Sequence, residues 1–310
     1  MNEQRGKIII PGGAGFIGQC LSDYFAQRGH EVVVLSRRAS TSEGLDGVRY
    51  VAWDGETLGD WTRELDGAQA VVNMAGRSVN CRYNNLNKRA IYSSRLRSTR
   101  VLGRAIAACK NPPQVWINSS SATIYRHALD RAMDDETGEL GKGFSVDVCR
   151  KWERELNTAA TPQTRKIALR SAMVFGKGCG GVMDAFLRIV HLGLGGTLGS
   201  GDQYVSWIHT DDFCNSIQWI LDHEKLEGTI NVAAPHPLPN REFMRVLRDV
   251  CGQKFGLPAT AWMLESGAFF LRTETELLLK SRRVVPSRLL RSGYRFQYTQ
   301  WRDAAREIVG

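Results

Sequence analysis

Apolar residues follow two spacings along this chain. Runs of adjacent aliphatic residues within Lys7–Ile10, Glu31–Ser36, Val48–Trp53, Ala68–Ala75, Val115–Ser119 and Lys166–Phe175 predict strands, several of them buried on both faces. Between them, Phe16–Arg28, Thr57–Leu65, Leu86–Cys109 and Val146–Ala159 carry apolar residues at helical spacing, and Gly29 is placed to close the first helix. Strands alternating with helices predict an α/β fold built on a doubly wound parallel sheet. After Gly176 the pattern changes. Gly178–Gly181 and Gly193–Gly201 are rich in glycine, Val182–Leu192 between them is helical, and the chain from Asn240 onward reads as helical and basic. Trp207–Val232 reads as a return to the sheet. The expected organisation is therefore residues 1–175 and 205–234 as the sheet domain, with residues 176–204 and 235–310 as a smaller, mainly helical C-terminal lobe that holds substrate.

The strongest local signal lies between the first strand and the first helix, where Gly12, Gly15 and Gly18 sit three residues apart. In that position the first glycine permits a tight turn, the second admits a pyrophosphate, and the third lets helix and strand pack closely. The amides of Phe16, Ile17 and Gly18 then face the anion at the positive end of the helix. The pattern predicts the phosphate turn of a Rossmann-type dinucleotide fold, ahead of a merely structural turn. Folds of this kind that select NAD place an acidic residue at the end of the second strand, whereas this chain has Ser36-Arg37-Arg38. A guanidinium suits a ribose 2′-phosphate, so NADP(H) is the expected cofactor. Asp54, after the third strand, is either a contact to the adenine edge or an ordinary turn aspartate.

Composition narrows the remaining classes. At 310 residues, 43% hydrophobic and 24% charged, the chain reads as globular, and it has no apolar run long enough to span a bilayer. Met1–Arg5 is polar, without the apolar stretch of a signal peptide, and seven cysteines without a Cys-x-x-Cys pair argue against a disulfide framework, so a cytoplasmic protein is expected. The six histidines show no metal-ligand spacing, and no metal is expected. A net charge of +9 without a dense basic run or a nucleic-acid motif favours phosphorylated ligands over nucleic acid.

Further motifs make the chain resemble the extended short-chain dehydrogenase/reductase superfamily, in its NAD-dependent epimerase/dehydratase-like group. They are Val71-Val72-Asn73-Met74-Ala75-Gly76, Ser119-Ser120-Ser121-Ala122-Thr123-Ile124-Tyr125, and Leu169-Arg170 through Val174-Phe175-Gly176. Ser94-Arg95, Cys149-Arg150-Lys151-Trp152-Glu153, Gly193-Leu194-Gly195-Gly196, Trp207-Ile208-His209, Asp212 and Val284-Val285-Pro286-Ser287-Arg288-Leu289 are similar to an atypical branch known as "epimerase family protein". The resemblance covers almost the whole chain. It implies a cofactor domain with Asn73, Ala75, Gly76, Arg95, Ser119 and Cys149 near the nicotinamide nucleotide, and a separate C-terminal substrate lobe. It does not supply a reaction.

In the superfamily a serine or threonine hydroxyl polarises the substrate, a tyrosine transfers a proton, and a lysine four residues later lowers the phenol's pKa. Ser121 matches the serine. With Glu153 as anchor, the tyrosine position falls at Ser145 and the lysine position at Cys149, so the usual pair is absent. Tyr125 is the substitute proton donor or else a structural tyrosine of its motif. Cys149 reads as a buried thiol before it reads as a nucleophile. His209, with Asp211 and Asp212, is a proton relay or belongs to a helix start capped by Thr210 or Asp211. Arg82, Gln203, Tyr204 and Arg282, with Arg283 beside it, are candidates for a substrate cleft. The function expected is an NADP(H)-dependent oxidoreductase or epimerase-like enzyme acting on a small polar or nucleotide-linked substrate. The alternative is a non-catalytic NADP(H)-binding sensor. The expected partners are a small molecule, without nucleic acid or membrane, and a second copy of the chain, paired through Leu86–Cys109 and Val146–Ala159.

Overall fold

A computed structural model describes residues 5–37, 47–178, 181–259 and 279–310. The chain runs through β1 (Arg5–Pro11), α1 (Phe16–Ala26), β2 (His30–Ser36), β3 (Val48–Ala52), a 3-10 turn at Asp60–Leu65, β4 (Ala70–Asn73) and α2 (Asn85–Ala107). It continues through β5 (Val115–Ser121), a 3-10 turn at Ala122–Ile124, α3 (Phe144–Thr158), β6 (Arg165–Ser171), β7 (Met173–Phe175) and α4 (Val182–His191). There follow β8 (Tyr204–Val205), β9 (Trp207–His209), α5 (Thr210–Asp222), β10 (Gly228–Val232), β11 (Leu238–Pro239), α6 (Asn240–Val250), α7 (Ser287–Arg291) and α8 (Trp301–Val309).

Seven strands form one sheet in the order β10-β6-β5-β4-β1-β2-β3, with every neighbouring pair parallel. Successive side chains of a strand point to opposite faces, so an unbroken aliphatic run supplies two cores at once. Ile8, Ile10, Val32 and Val34 pack on one face with Leu21 and Phe25 of α1 and Ile217 of α5. Ile9, Val33 and Val71 pack on the other with Leu102 of α2, Leu156 of α3 and Trp116. The strand order reverses between β1 and β4, and in open α/β sheets the crevice beyond the strand ends at such a reversal takes the ligand.

Two expectations are corrected. The run Lys166–Phe175 is not one strand. Ala172 N–H donates to Val232 O at 2.9 Å as the last rung toward β10, then Met173 N–H turns to Ser206 O at 3.3 Å and β7 pairs in parallel with β9. Both halves are apolar, so the pattern carried no break. The helix expected over Thr57–Leu65 shortens to the 3-10 turn Asp60–Leu65, with Trp61 and Leu65 buried.

β7, β9, α4, α6 and α8 enclose a separate apolar cluster around Phe175, Phe186, Trp207, Phe243 and Trp301, with Phe243 and Trp301 stacked at 4.3 Å. Asp212 ties the C-terminal segment to α5, because its carboxylate accepts from the amides of Gln297 at 2.7 Å and Tyr298 at 2.8 Å. Among the described residues, no helix is long and apolar enough to cross a membrane, and no His/Cys/Asp/Glu group could hold a metal ion.

Candidate functional site

The three glycines of the first turn differ in what constrains them. Gly12 has φ +79°, and a Cβ there would lie 2.7 Å from the Ala75 backbone at the end of β4. Gly18 lies against the turn itself, where a Cβ would come within 2.4 Å of the Gly13 Cα. Both are therefore required by packing. Gly15 is not: its φ of −85° suits any residue, and the nearest atom to an added Cβ is Gly12 O at 3.8 Å. The space above Gly15 is open, and the helix that starts there has no side-chain cap on its first amides. The Phe16 ring lies against Gly181, 3.1 Å from a Cβ built there, and 3.8 Å from one built on Gly178. The start of α1 thus offers uncapped amides to which an anion could bind.

At the far end of the crevice, Ser36 closes β2 and its carbonyl accepts from Trp53 N–H at 2.9 Å. Arg37 is exposed just beyond it, and Arg38 lies outside the described residues. Asp54 takes the turn role. It accepts from Glu56 N–H at 2.8 Å and from Thr57 N–H and Oγ1–H, bonds that hold its carboxyl below the usual range. Those bonds keep the loop that follows β3 in shape.

Under the centre of the crevice runs a buried polar chain that sequence reasoning missed. Asn73 Oδ1 accepts from Ala75 N–H at 3.0 Å while its Nδ2 donates to Asn118 Oδ1 at 2.6 Å. Thr99 Oγ1 donates to the same Asn118 oxygen, and Trp152 Nε1 donates to Thr99 at 2.9 Å. Asn73 therefore shapes the Ala75–Gly76 loop rather than facing the crevice, and one network fixes β4, β5, α2 and α3 together. Gly76 lies against Arg95, whose guanidinium carbon is 3.2 Å from a Cβ built there.

The serine strand divides its side chains. Ser119 Oγ stays near the Ser120 carbonyl at 3.5 Å. Ser120 points inward to Glu153 at 2.7 Å, and Glu153 forms a two-pronged pair with Arg170, both bonds at 2.8 Å. Ser121, partly exposed, accepts from Thr123 N–H at 3.2 Å, so its own hydroxyl hydrogen is left to donate outward. Cys149 is buried, 3.6 Å from Thr123 Oγ1, and burial raises its thiol pKa.

Of the two readings of Tyr125, substitute proton donor or structural tyrosine of its motif, the contacts of its hydroxyl favour the structural one. It is 0% exposed, and its one hydroxyl hydrogen is within reach of Asn231 Oδ1 at 2.8 Å and Asp134 O at 3.0 Å, while the oxygen accepts from Arg170 Nη1 at 3.0 Å. Burial raises its pKa in spite of the arginine. It belongs to the same interior network as Glu153. The motif alone does not decide between the two readings of Tyr125, because Asn231 and Arg170 lie 106 and 45 residues away along the chain.

Of the cleft candidates, Gln203, Tyr204 and Arg282 lie together. Arg282 N–H donates to Tyr204 O at 2.9 Å, Arg282 is 8% exposed, and the Arg283 guanidinium sits 4.5 Å over the Tyr204 ring. Gln203 is turned inward and donates to Leu198 O at 2.6 Å, so it holds its own loop. Arg82 lies before α2, where Asn87 Nδ2 donates to its carbonyl at 2.7 Å. Tyr83 meets Phe144 edge to face at 4.8 Å, and Lys280 Nζ donates to Lys142 O at 3.5 Å. His209 itself caps α5, accepting from Asp211 N–H through Nδ1 at 3.1 Å. Its Nε2 therefore carries the proton toward Glu307, 2.8 Å away on α8, which also pairs with Lys177.

Comparison with known proteins agrees with this geometry. Residues 8–233 match the NAD dependent epimerase/dehydratase family, and residues 259–308 match a domain of unknown function, DUF1731. The chain is 32% identical over 307 residues to the epimerase family protein SDR39U1 of Bos taurus, covering 98% of this chain and 99% of that protein. It is 28% identical over 303 residues to the epimerase family protein YfhF of Bacillus subtilis, covering 98% of each. A crystal structure of human SDR39U1 with NADPH superposes with a TM-score of 0.86 at 30% identity, covering 97% of this chain and 98% of that one. UDP-N-acetylglucosamine 4-epimerase from Bacillus cereus, 18% identical with a TM-score of 0.75 and with 98% of this chain and 95% of that one covered, shares the fold. The chain belongs to the NAD dependent epimerase/dehydratase family, in the atypical short-chain dehydrogenase/reductase branch that carries a DUF1731 domain at its C-terminus.

Proposed function

We propose that this protein is an NADP(H)-dependent oxidoreductase that acts on a carbonyl or hydroxyl group of a small polar substrate. The observation that carries this reading is the open space above Gly15, a glycine that neither backbone strain nor packing requires. A pyrophosphate over the uncapped start of α1 accounts for it. Arg37 at the end of β2, and the NADPH held by the human relative, support the phosphorylated cofactor. Gly12, Gly15, Phe16, Ile17 and Gly18 would hold the pyrophosphate. Ser36, Arg37 and Arg38 would hold the adenosine ribose, and Ala75, Gly76 and Ser119 the nicotinamide half.

When bound, the nicotinamide supplies or takes up hydride. Ser121 lies at the end of β5 with its hydroxyl hydrogen free, and it would donate to the substrate oxygen as charge develops there. The substrate enters between the sheet domain, residues 1–175 and 205–234, and the C-terminal lobe, near Arg82, Tyr204 and Arg282. The test is a titration of NADPH and NADH against the wild type and Arg37→Ala. One lost charge-assisted phosphate contact is worth about 1.5–3 kcal/mol, or roughly ten- to hundredfold in affinity. Equal affinity for the two nucleotides in the wild type overturns the assignment. A sensor without turnover is favoured by one observation, the absence of an ionisable pair at Ser145 and Cys149. It predicts NADPH binding without consumption across a panel of carbonyl compounds.

A further inference from the structure

We propose that the outer face of α2 and α3 binds the phosphate backbone of a nucleic acid duplex, whatever its base sequence. This stands apart from the oxidoreductase reading. α2 carries Lys88, Arg89, Arg95, Arg97, Arg100 and Arg104 and no acidic residue in its 23 positions. Along the sequence Arg89, Arg97, Arg100 and Arg104 are eight, three and four residues apart, so they form no basic run. The helix gathers them. At about 100° per residue they fall within about 80° of one another and along about 22 Å of axis, the rise of roughly six base pairs. All four are exposed, while Ile91, Ser98, Leu102 and Ala105 of the same helix are buried on its opposite side.

α3 continues the face. Arg100 donates to Glu155 of α3 through two bonds, both at 2.8 Å, so the helices lie side by side. Arg150 and Arg154, one turn apart on α3, are exposed, as is Lys151. The carboxylates beside these cations are already paired: Glu56 with Arg97, Glu155 with Arg100 and Asp147 with Lys151, each at 2.8 Å. Arg89, Arg104, Arg150 and Arg154 make no ion pair among the described residues, and their guanidinium groups stand in water. Arg100 with Arg104, and Arg150 with Arg154, set like charges four residues apart, which is unfavourable for the helices by themselves and is relieved by a bound polyanion.

The make-up of the face selects the partner. Among the described residues, Leu86 is the one large apolar side chain that these helices expose. A protein interface needs an apolar core, and docking to a bilayer needs an apolar face. A second copy related by a two-fold axis would bring the arginines onto the same arginine-rich face. Sequence-independent binding of nucleic acid needs only cations on phosphates, with release of counterions. Arginine at all four unpaired positions suits phosphate, which the guanidinium fork holds through two bonds. The face therefore favours nucleic acid over the second copy of the chain.

Fluorescence anisotropy of labelled DNA and RNA duplexes of about 20 base pairs tests this. Four engaged phosphates give a log–log salt slope of about −3 to −4 on DNA, a loss of roughly a hundredfold in affinity between about 50 and 200 mM salt. A variant with Arg89→Gln, Arg104→Gln, Arg150→Gln and Arg154→Gln is expected to bind at least about tenfold more weakly, with a slope near zero and with melting temperature and NADPH affinity unchanged. Its two halves, on α2 alone and on α3 alone, should each flatten the slope by about two. A second variant with Lys225→Gln, Lys254→Gln, Arg295→Gln and Arg306→Gln removes the same charge from exposed positions elsewhere. It should bind within about threefold of the wild type. The proposal is overturned if neither duplex binds, or if the two four-site variants weaken binding equally, which would be an effect of the net charge of +9 alone. Tighter binding of poly-L-glutamate or of phosphatidylserine vesicles than of either duplex overturns it too, as does a wild type that sediments as a dimer which the first variant dissociates. The duplex that binds more tightly, RNA or DNA, names the source of the backbone.

Discussion

Alanine at each glycine of the first turn should separate binding from folding. Gly15→Ala adds a methyl group to open space at an allowed backbone conformation, with its nearest neighbour at 3.8 Å. Reduced entropy of the unfolded chain favours the substitution by about 0.4–1 kcal/mol, and the poorer N-cap opposes it by a similar amount. The net change in stability should therefore be close to zero. The same methyl stands where a pyrophosphate oxygen must approach the amides of Phe16 and Ile17. Loss of one charge-assisted bond there costs about 1.5–3 kcal/mol, or roughly ten- to hundredfold in NADPH affinity, and valine should abolish binding. Gly18→Ala behaves in the opposite way. Its Cβ would meet the Gly13 Cα at 2.4 Å, and overpacking of that kind costs about 1–3 kcal/mol. Gly12→Ala combines a left-handed backbone, worth about 1–2 kcal/mol, with a 2.7 Å approach to the Ala75 backbone, so it should be the least stable of the three. Thermal melts without ligand and fluorescence titration with NADPH measure the two quantities on each variant. If Gly15→Ala binds NADPH as tightly as the wild type, the space above that glycine is not a phosphate site. If it melts as low as Gly18→Ala, the glycine is structural and the argument fails.

Ser121→Ala should lower turnover about a hundredfold, the range for a lost electrophilic hydrogen bond, with NADPH affinity intact; a loss below tenfold removes Ser121 from the chemistry. Tyr125→Phe should leave turnover unchanged and cost about 1–3 kcal/mol in denaturant unfolding, because Arg170 and Asn231 lose a buried partner. A large fall in turnover at unchanged stability would restore the tyrosine as proton donor. Arg170→Met strands Glu153 in the interior and should cost about 3–5 kcal/mol, against little effect from replacing an exposed arginine such as Arg63. Burial raises the Cys149 thiol, so at pH 8 it should stay protonated and alkylate far more slowly than exposed thiols, with the rate still climbing as pH rises further. Fast labelling of Cys149 by iodoacetamide in the folded protein would contradict that placement.

The elements of the sheet domain were legible because their signals are local. Four adjacent aliphatic residues in β2 can be buried only between two layers of helix, and glycines three apart after a strand serve a turn that carries a phosphate. The resemblance of the serine motif likewise placed Ser121 at the end of its strand. What the sequence determined by itself was therefore the parallel α/β fold, the phosphate turn and the missing tyrosine and lysine. Only the tertiary structure decided which side chains of those motifs face the crevice. Tyr125 and Asn73 look like site residues in the chain, yet their partners Asn231, Arg170 and Asn118 lie 106, 45 and 45 residues away and draw them into the interior. The break at Ala172 depends on which neighbour, β10 or β9, offers the next carbonyl. Hydrogen-bond partners and counter-charges are set by contacts between distant segments, and the order of residues along one segment does not contain them.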